Sequence, residues 1–152
     1  RNLRDALLFN TLSFMSNRLL TVGNTVAALD ELYIWLGNPV AVEYIRNALK
    51  RVRKKNSAML MASQNVEDFD RPGVREMTKP LFSIPPHQFL FNCGTVNKKE
   101  FMDLLQLEES EFNIIQAPHK GECLYKCGNE RYDLLVTAPP YKEKLFGKAG
   151  GK

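Results

Sequence analysis

Three polar side chains that could carry phosphate chemistry follow two short apolar runs of this chain. Asp30 and Glu31 come directly after the run that ends at Leu29, and Gln64 follows the run that begins at Ser57. Mg²⁺ prefers one or two carboxylates together with substrate phosphates, and a further carboxylate can orient or deprotonate an attacking water. The pattern therefore predicts Asp30 as a metal ligand and Glu31 as a catalytic acid.

The amide of Gln64 offers a different function from the two acids. An amide can donate a hydrogen bond to a γ-phosphate oxygen and accept one from the attacking water, so Gln64 could sense whether phosphate is bound. The alternatives stay open, because an apolar-Asp-Glu pattern can simply end a strand in solvent and a glutamine can be an ordinary polar strand cap.

A basic run lies between the acid pair and Gln64, and it comprises Lys50, Arg51, Arg53, Lys54 and Lys55. A helix C-terminus favours cations, so a solvated helix end is one interpretation. The other is an arginine finger, a planar and always-charged group that reaches a phosphate bound in a neighbouring subunit. Only a side chain at the edge next to the strand could do this, which favours Arg53 over Lys50.

These side chains need a strand, a helix and a second strand to bring them together. The run that ends at Leu29 reads as a strand buried on both faces. Asn38-Pro39 predicts the start of a helix that runs to Lys55, and Asn56 predicts its stop. Ser57 to Ser63 reads as a second buried strand. Such a βαβ unit has parallel strands whose carboxyl ends meet at one crevice.

The remaining pattern predicts further helices and strands around this unit. Asp5 to Leu20 has the spacing of an amphipathic helix that packs on a sheet. The other predicted elements are a turn at Thr21–Thr25, a turn at Arg71–Gly73, a helix over Val74–Phe82, a strand over His87–Cys93, helices over Lys98–Leu107 and Glu108–Gln116, and a β-hairpin of Glu122–Cys127 and Arg131–Ala138 across Gly128-Asn129. Phe89 and Phe91 alternate as core residues of a strand do.

Composition predicts a globular chain of about one domain, since it has 152 residues and 44% of them are hydrophobic. We expect the domain to cover residues 1–138 and the Lys- and Gly-rich tail, residues 139–152, to fray. No apolar run approaches the ~20 residues of a membrane helix. Three cysteines without paired spacing predict free thiols and no disulfide partner. The net charge of +4 could suit nucleic acid or an acidic neighbour.

The residues together resemble a known family. The acid pair after Leu29, the Arg53-Lys54-Lys55-Asn56 run and the Ser63-Gln64 that follows are similar in type and spacing to the C-terminal domain of the type IV secretion and conjugative-transfer ATPases. The resemblance extends more loosely to Pro139-Pro140-Tyr141. It implies a RecA-like P-loop ATPase domain, here only a part of one, with parallel strands flanked by helices and a C-terminal β-hairpin.

The resemblance also implies a function and a set of roles. Asp30 and Glu31 match the Walker B acids, Gln64 the sensing glutamine, and Arg53 an arginine near the subunit boundary. The implied cofactors are ATP and Mg²⁺. The implied setting is a hexamer at the inner face of the cell membrane, on the cytoplasmic side, with other secretion-channel components as partners and DNA as a further candidate partner. The alternative is a non-catalytic docking or DNA-binding module of a transfer apparatus.

One motif of the family has no counterpart in this sequence. A P-loop ATPase cradles the β- and γ-phosphates with a Gly-x-x-x-x-Gly-Lys-Ser/Thr loop, and the tail from Gly147 to Lys152 has neither that spacing nor the hydroxyl residue. We therefore expect the chain to match the part of the domain downstream of the loop, and not to hydrolyse ATP alone.

Overall fold

The computed structural model describes residues 2–64, 69 and 75–147. The chain divides into two compact units, Arg1–Pro85 and Pro86–Lys152. This division does not decide where a folding domain ends, so the boundary at residue 138 stays a prediction. None of the described helices is long and apolar enough to cross a membrane.

The first unit is a helix-covered pair of parallel strands. Its elements are α1 (Asn2–Asn17), continued by a π-helical turn (Arg18–Val22), β1 (Val26–Leu29), α2 (Tyr33–Leu36), α3 (Pro39–Arg51), continued by a 3₁₀ turn (Val52–Lys55), β2 (Ala58–Met61) and α4 (Arg75–Ser83). Val26 pairs with Ala58 and Leu29 with Met61 in parallel register. The predicted βαβ unit is therefore confirmed, and α2 is a short helix that the sequence pattern did not predict.

The signals that start and stop α3 act as the sequence predicts. Asn38 is the N-cap, and its Oδ1 accepts hydrogen bonds from the N–H groups of Val40 and Ala41, at 3.0 and 3.3 Å. Pro39 occupies the first helical position. Asn56 ends the segment in the left-handed conformation, with φ +51°. The direction and length of the crossover between β1 and β2 are thus encoded locally.

The core of the first unit lies on one face of the strand pair. Leu29 is buried there, and Ala27, Met59 and Met61 pack against the same cluster. Its buried helix residues include Leu12 of α1, Leu19 of the π-helical turn, and Val42, Ile45 and Ala48 of α3.

The opposite face of the strand pair is open among the described residues. Val26 keeps 71% of its surface and Leu60 keeps 63%. Successive side chains of a strand point to opposite faces, and the described helices cover only the face that carries Leu29. The prediction that both strands are buried on both faces is therefore wrong for the described chain.

Helix α1 and the π-helical turn bury fewer apolar residues than the predicted amphipathic helix would bury. Leu12 and Leu19 are fully buried, whereas Leu7 and Phe14 are exposed. At 100° per residue, Leu7 and Phe14 lie nearly opposite Leu12 on the helix. The predicted single stripe over Asp5–Leu20 is therefore two stripes, of which one faces the core.

The second unit is an antiparallel sheet with helices. Its elements are β3 (His87–Leu90), α5 (Lys98–Leu105), α6 (Glu109–Gln116), β4 (Glu122–Cys127), β5 (Glu130–Leu135) and α7 (Pro140–Phe146). The predicted hairpin across Gly128-Asn129 is confirmed. The third predicted strand is shorter than His87–Cys93 and pairs antiparallel with β4. Lys126 is buried and donates to the carbonyl of Leu105 at the end of α5, and burial lowers the pKa of its ammonium group.

One further expectation differs from the structure in this unit. Phe89 is 51% exposed and Phe91 47%, so neither is a core residue; the ring of Phe89 instead stacks on Tyr125 at 4.6 Å between centroids. The fraying of residues 139–152 stays a prediction; within this tail, Pro140 starts α7 and Gly147 follows its end. The predicted turn at Arg71–Gly73, the residue Val74 and the tail residues 148–152 lie outside the described residues.

Gly23 follows the π-helical turn and allows the backbone there to pack closely against the 3₁₀ turn. Replacing Gly23 should therefore destabilise the chain. Its φ is +79°, and a Cβ at this position would lie 2.7 Å from the carbonyl oxygen of Lys55. Gly23→Ala should therefore lower the free energy of unfolding by about 1–3 kcal/mol, as strained backbone positions do, measured by urea denaturation of the chain.

Gly37→Ala is the matched control. Gly37 has φ −69°, and no heavy atom lies within 4 Å of the position that a Cβ would take there, so its replacement should leave stability unchanged or slightly raised. Equal losses of unfolding free energy in the two variants would contradict the conclusion that Gly23 is needed for the close contact with the Lys55 carbonyl.

Candidate functional site

The carboxyl ends of β1 and β2 form one edge, which we call the carboxyl edge. Beyond the paired strands, the N–H of Ala62 donates to the carbonyl of Leu29 at 2.8 Å, and the N–H of Leu32 donates to the carbonyl of Ala62 at 2.9 Å. These two bonds extend the parallel pairing past both strand ends. Asp30 and Glu31 lie between Leu29 and Leu32, whose backbone groups both bond to Ala62. They are therefore next to the segment that leads to Gln64.

The side chains of Glu31 and Gln64 are in direct contact at this edge. Gln64 Nε2 donates a hydrogen bond to Glu31 Oε1 at 2.7 Å, although 33 positions separate the two residues. Gln64 is exposed and Glu31 half-buried, so solvent and ligands can reach the pair. The structure thus brings together two of the four predicted site residues by contact and a third, Asp30, by sequence adjacency.

The backbone at the acid pair has an unusual conformation. Glu31 has φ +51°, in the left-handed region that non-glycine residues seldom occupy. The N–H of Glu31 donates to Oδ1 of Asp30 at 2.9 Å, which stabilises this turn. Left-handed residues are locally strained and cluster at functional sites. Here the turn ends β1 and aims Glu31 back toward the β2 side.

Asp30 retains an oxygen for a ligand. It is exposed, and within the described residues its Oδ2 has no hydrogen-bond partner. The described part of the chain contains no group of three or more His, Cys, Asp or Glu side chains suited to a metal. Mg²⁺ does not require one, since one or two carboxylates plus phosphate oxygens and waters suffice. The hard oxygen donors of this edge therefore fit Mg²⁺.

Arg53 lies at the other end of the strand pair. Its 3₁₀ turn directly precedes β2, whereas the acid pair follows β1, and the two strands are parallel. Four strand residues span about 13 Å, so the structure does not bring Arg53 to the acid pair of its own chain. We call this end the amino edge.

The turn that carries Arg53 is held by a network of hydrogen bonds. The carbonyl of Lys55 accepts from the N–H of Asn24 at 3.0 Å and from the hydroxyl of Ser57 at 3.4 Å. The N–H of Thr25 in turn donates to Ser57 Oγ at 3.3 Å. Sequence reasoning missed Ser57 and Gly23 as residues that position Arg53. The Gly23-Asn24 pair was a visible signal, but it indicated a turn and not the partner that the turn contacts.

No family model matches the sequence. The curated relatives that do match are named as conjugal transfer or type IV secretion proteins. The conjugal transfer protein TrbE of Rhizobium radiobacter is 29% identical over 157 aligned residues, which cover 99% of this chain and 19% of TrbE. The type IV secretion system protein CagE of Helicobacter pylori is 30% identical over 101 aligned residues, which cover 66% of this chain and 10% of CagE. The chain thus spans about a fifth or less of these curated relatives.

A solved structure shares the fold. VirB4 of Thermoanaerobacter pseudethanolicus matches 90% of this chain with a TM-score of 0.80 and 31% sequence identity, and the match covers 38% of the VirB4 chain. The mixed α/β architecture is therefore that of a partial P-loop ATPase domain. The chain belongs to the family of type IV secretion and conjugative-transfer ATPases.

Proposed function

We propose that this chain supplies the Walker B acids and the sensing glutamine of an ATPase that energises conjugative DNA transfer or type IV secretion. The observation that carries the proposal is the 2.7 Å hydrogen bond between Gln64 and Glu31 at the carboxyl edge. Crevices beyond the carboxyl ends of parallel strands are where open α/β sheets bind ligands. Family membership supports nucleotide use.

The two acids take different tasks in this proposal. Asp30 binds the metal through its free oxygen, directly or through water, because its other oxygen already accepts from the backbone. Mg²⁺ at this position would neutralise negative charge on the β- and γ-phosphates of ATP. Glu31 orients or deprotonates the attacking water, since its carboxylate is the general base nearest to the metal ligand.

Gln64 couples phosphate to the catalytic acid. Its amide nitrogen donates one hydrogen bond to Glu31 Oε1 in the described structure. A γ-phosphate oxygen can accept the same N–H bond, and this exchange would release Glu31 to bind water. Gln64 therefore reports on the presence of the γ-phosphate.

Arg53 acts on a neighbouring subunit. Because it lies at the amino edge, its guanidinium can stabilise a phosphate only at the carboxyl edge of another copy. The two edges are complementary in charge, with the acid pair at one and the basic run at the other. A head-to-tail contact of this type forms a ring when the rotation between successive copies closes, as the hexamer implied by the family resemblance would require.

The wider setting follows from the relatives. Their names assign them to conjugal transfer and type IV secretion, so we propose other channel components as partners and a peripheral position at the cytoplasmic face of the inner membrane. The rival proposal is a docking or DNA-binding module without catalysis. The rival is distinguished by activity, because a docking module needs neither Glu31 nor Gln64.

A hydrolysis test needs the phosphate-binding loop. We therefore use a chimera in which this chain replaces the matching part of VirB4 from Thermoanaerobacter pseudethanolicus, whose backbone it follows closely. In the chimera, Glu31→Gln should lower ATP turnover by roughly 10²- to 10⁴-fold, the usual loss for one positioned acid or base. Binding of ATP should persist, because the amide keeps the shape of the side chain.

Glu43→Gln is the matched control for this prediction. Glu43 is an exposed carboxylate on α3 that pairs with Arg46, so its replacement should leave turnover within about threefold of the parent. A Glu31→Gln chimera that hydrolyses ATP as fast as the Glu43→Gln chimera would support the docking module instead.

The assignment of Arg53 to a neighbouring subunit is tested by mixing. Chimeras that carry Arg53→Ala should lose roughly 10³- to 10⁵-fold in turnover, as for other arginine fingers. When they are mixed with Glu31→Gln subunits, some interfaces pair an intact arginine with an intact acid, so activity should reappear. Lys50→Ala subunits serve as the control. They should keep the turnover of the parent, because Lys50 lies on α3 and not in the 3₁₀ turn that carries Arg53.

The opposite result is equally clear. If Arg53 acts in its own subunit, every site in the mixture lacks one group, and the mixture stays as inactive as its components. That outcome would leave Arg53 as a structural helix end.

A further inference from the structure

An exposed apolar surface follows the acid pair along the chain, and we call it the α2–α3 surface. It consists of four side chains on two helices that pack against each other, and each side chain keeps between 40% and 48% of its surface. Its members are Tyr33, Ile34, Val40 and Tyr44. Single exposed apolar side chains are ordinary on a protein surface. Four of them on two adjacent helices, with two tyrosines among them, are typical of a surface that contacts another protein.

The exposed side of α3 is separate from the side that forms the core. At 100° per residue, Val40 and Tyr44 lie about 40° apart on the helix, and Val42 lies about 160° from each of them. Val42 is fully buried, and α2 buries Leu36 in the same core. The two helices therefore complete their packing without the α2–α3 surface.

The position of this surface relates it to the proposed nucleotide site. Helix α2 begins two residues after Glu31, and α3 begins at Pro39, shortly after α2 ends. Because the crossover leaves the carboxyl end of β1, the first turns of α3 start from the side of the carboxyl edge. The proposed function brings the amino edge of another copy to the acid pair. That copy would then also meet the α2–α3 surface.

The charges around the surface indicate which partner it fits. The neighbouring acid pair repels polyanions and anionic membranes, and it favours a partner that is apolar and cationic. The amino edge of this same chain has that composition. Val22 and Val26 keep 56% and 71% of their surface there, and the exposed cations of the 3₁₀ turn lie at the same edge, namely Arg53, Lys54 and Lys55.

We propose that the α2–α3 surface binds the amino edge of a second copy of this chain and thereby seats Arg53 at the acid pair. The inference rests on the proposed function, in which Arg53 acts on another copy, and it adds the surface that holds the two copies together. Exposed charge pairs contribute little affinity. Buried aromatic anchors contribute most of the affinity of an interface, so the apolar side chains supply what the charges do not.

Another segment of a longer protein is the competing occupant of this surface, since the chain spans only 19% of TrbE. Such a segment would cover the α2–α3 surface within one molecule. The chain by itself would then show no contact between copies through this surface, so the two occupants give different results in solution.

Sedimentation velocity of the chain at increasing concentration tests the proposal in the absence of ATP. We expect association that grows with concentration. The double variant Ile34→Ser, Tyr44→Ser should raise the concentration needed for half-maximal association more than about tenfold, since a few anchors carry most of the affinity. The double variant Val22→Ser, Val26→Ser should do the same from the amino edge.

The double variant Leu7→Ser, Phe14→Ser is the matched control. It also replaces one aliphatic and one aromatic side chain, and both are exposed on α1, so it should associate like the parent. Val40→Lys is a second variant of the α2–α3 surface. It places a cation opposite the cationic amino edge, so it should weaken association without removing a large side chain.

A mixture of the two interface variants tests the head-to-tail direction. Each variant keeps one intact surface, so an equimolar mixture should form pairs at a concentration at which either variant alone is monomeric. A variant that had lost its fold would not restore association in this way. Thermal melting of every variant checks the fold separately.

Three results would overturn the proposal. A chain that stays monomeric up to about 10⁻⁴ M would mean that no second copy binds this surface with useful affinity. An equal loss in the α1 control would mean that exposed apolar side chains in general cause association. Absence of recovery in the mixture of folded variants would mean that the two surfaces do not meet. The turnover of the Glu31→Gln chimera is unaffected by these outcomes, so the proposed function stands or fails separately.

Discussion

The parallel pairing of β1 and β2 is the constraint on which the candidate site depends. Pairing of Leu29 with Met61 puts two segments from distant parts of the chain at one edge, and the backbone bonds through Ala62 continue it past the strand ends. A shift of the register by one residue would turn every side chain of β2 to the other face and would separate Gln64 from Glu31. The register is itself fixed by burial, because Leu29 and Met61 both face the only helix-covered side of the described pair.

The same βαβ unit separates opposite charges. Since α3 returns the chain to the start of β2, its cationic end and the 3₁₀ turn lie at the amino edge, whereas both acids lie at the carboxyl edge. One copy therefore presents two edges of opposite charge, and under the proposed function the anion that Arg53 meets belongs to another molecule.

Local signals in the sequence predicted the elements that position this site. Asn38, Pro39 and Asn56 mark α3 through capping and backbone preference, which depend only on near neighbours. Burial was predicted less well, since it depends on which other elements cover a face. Val26, Leu60 and Phe89 have strand-like apolar patterns and are nevertheless exposed in the described chain. The contact of Gln64 with Glu31 follows from the parallel pairing, whereas the left-handed turn at Glu31 has no sequence signal of the kind that glycine provides.

The central claim is that Glu31 and Gln64 act as one unit on the nucleotide, and a double-mutant cycle on ATP turnover tests it most directly. The turnover of the VirB4 chimera is measured for Glu31→Gln, for Gln64→Ala and for the two together. If the amide works through the acid, the double variant will be no slower than Glu31→Gln alone, because residues that act as a unit are not additive. If the two losses multiply, or if Gln64→Ala turns over ATP like the parent, the hydrogen bond between them is only a contact between two strand ends.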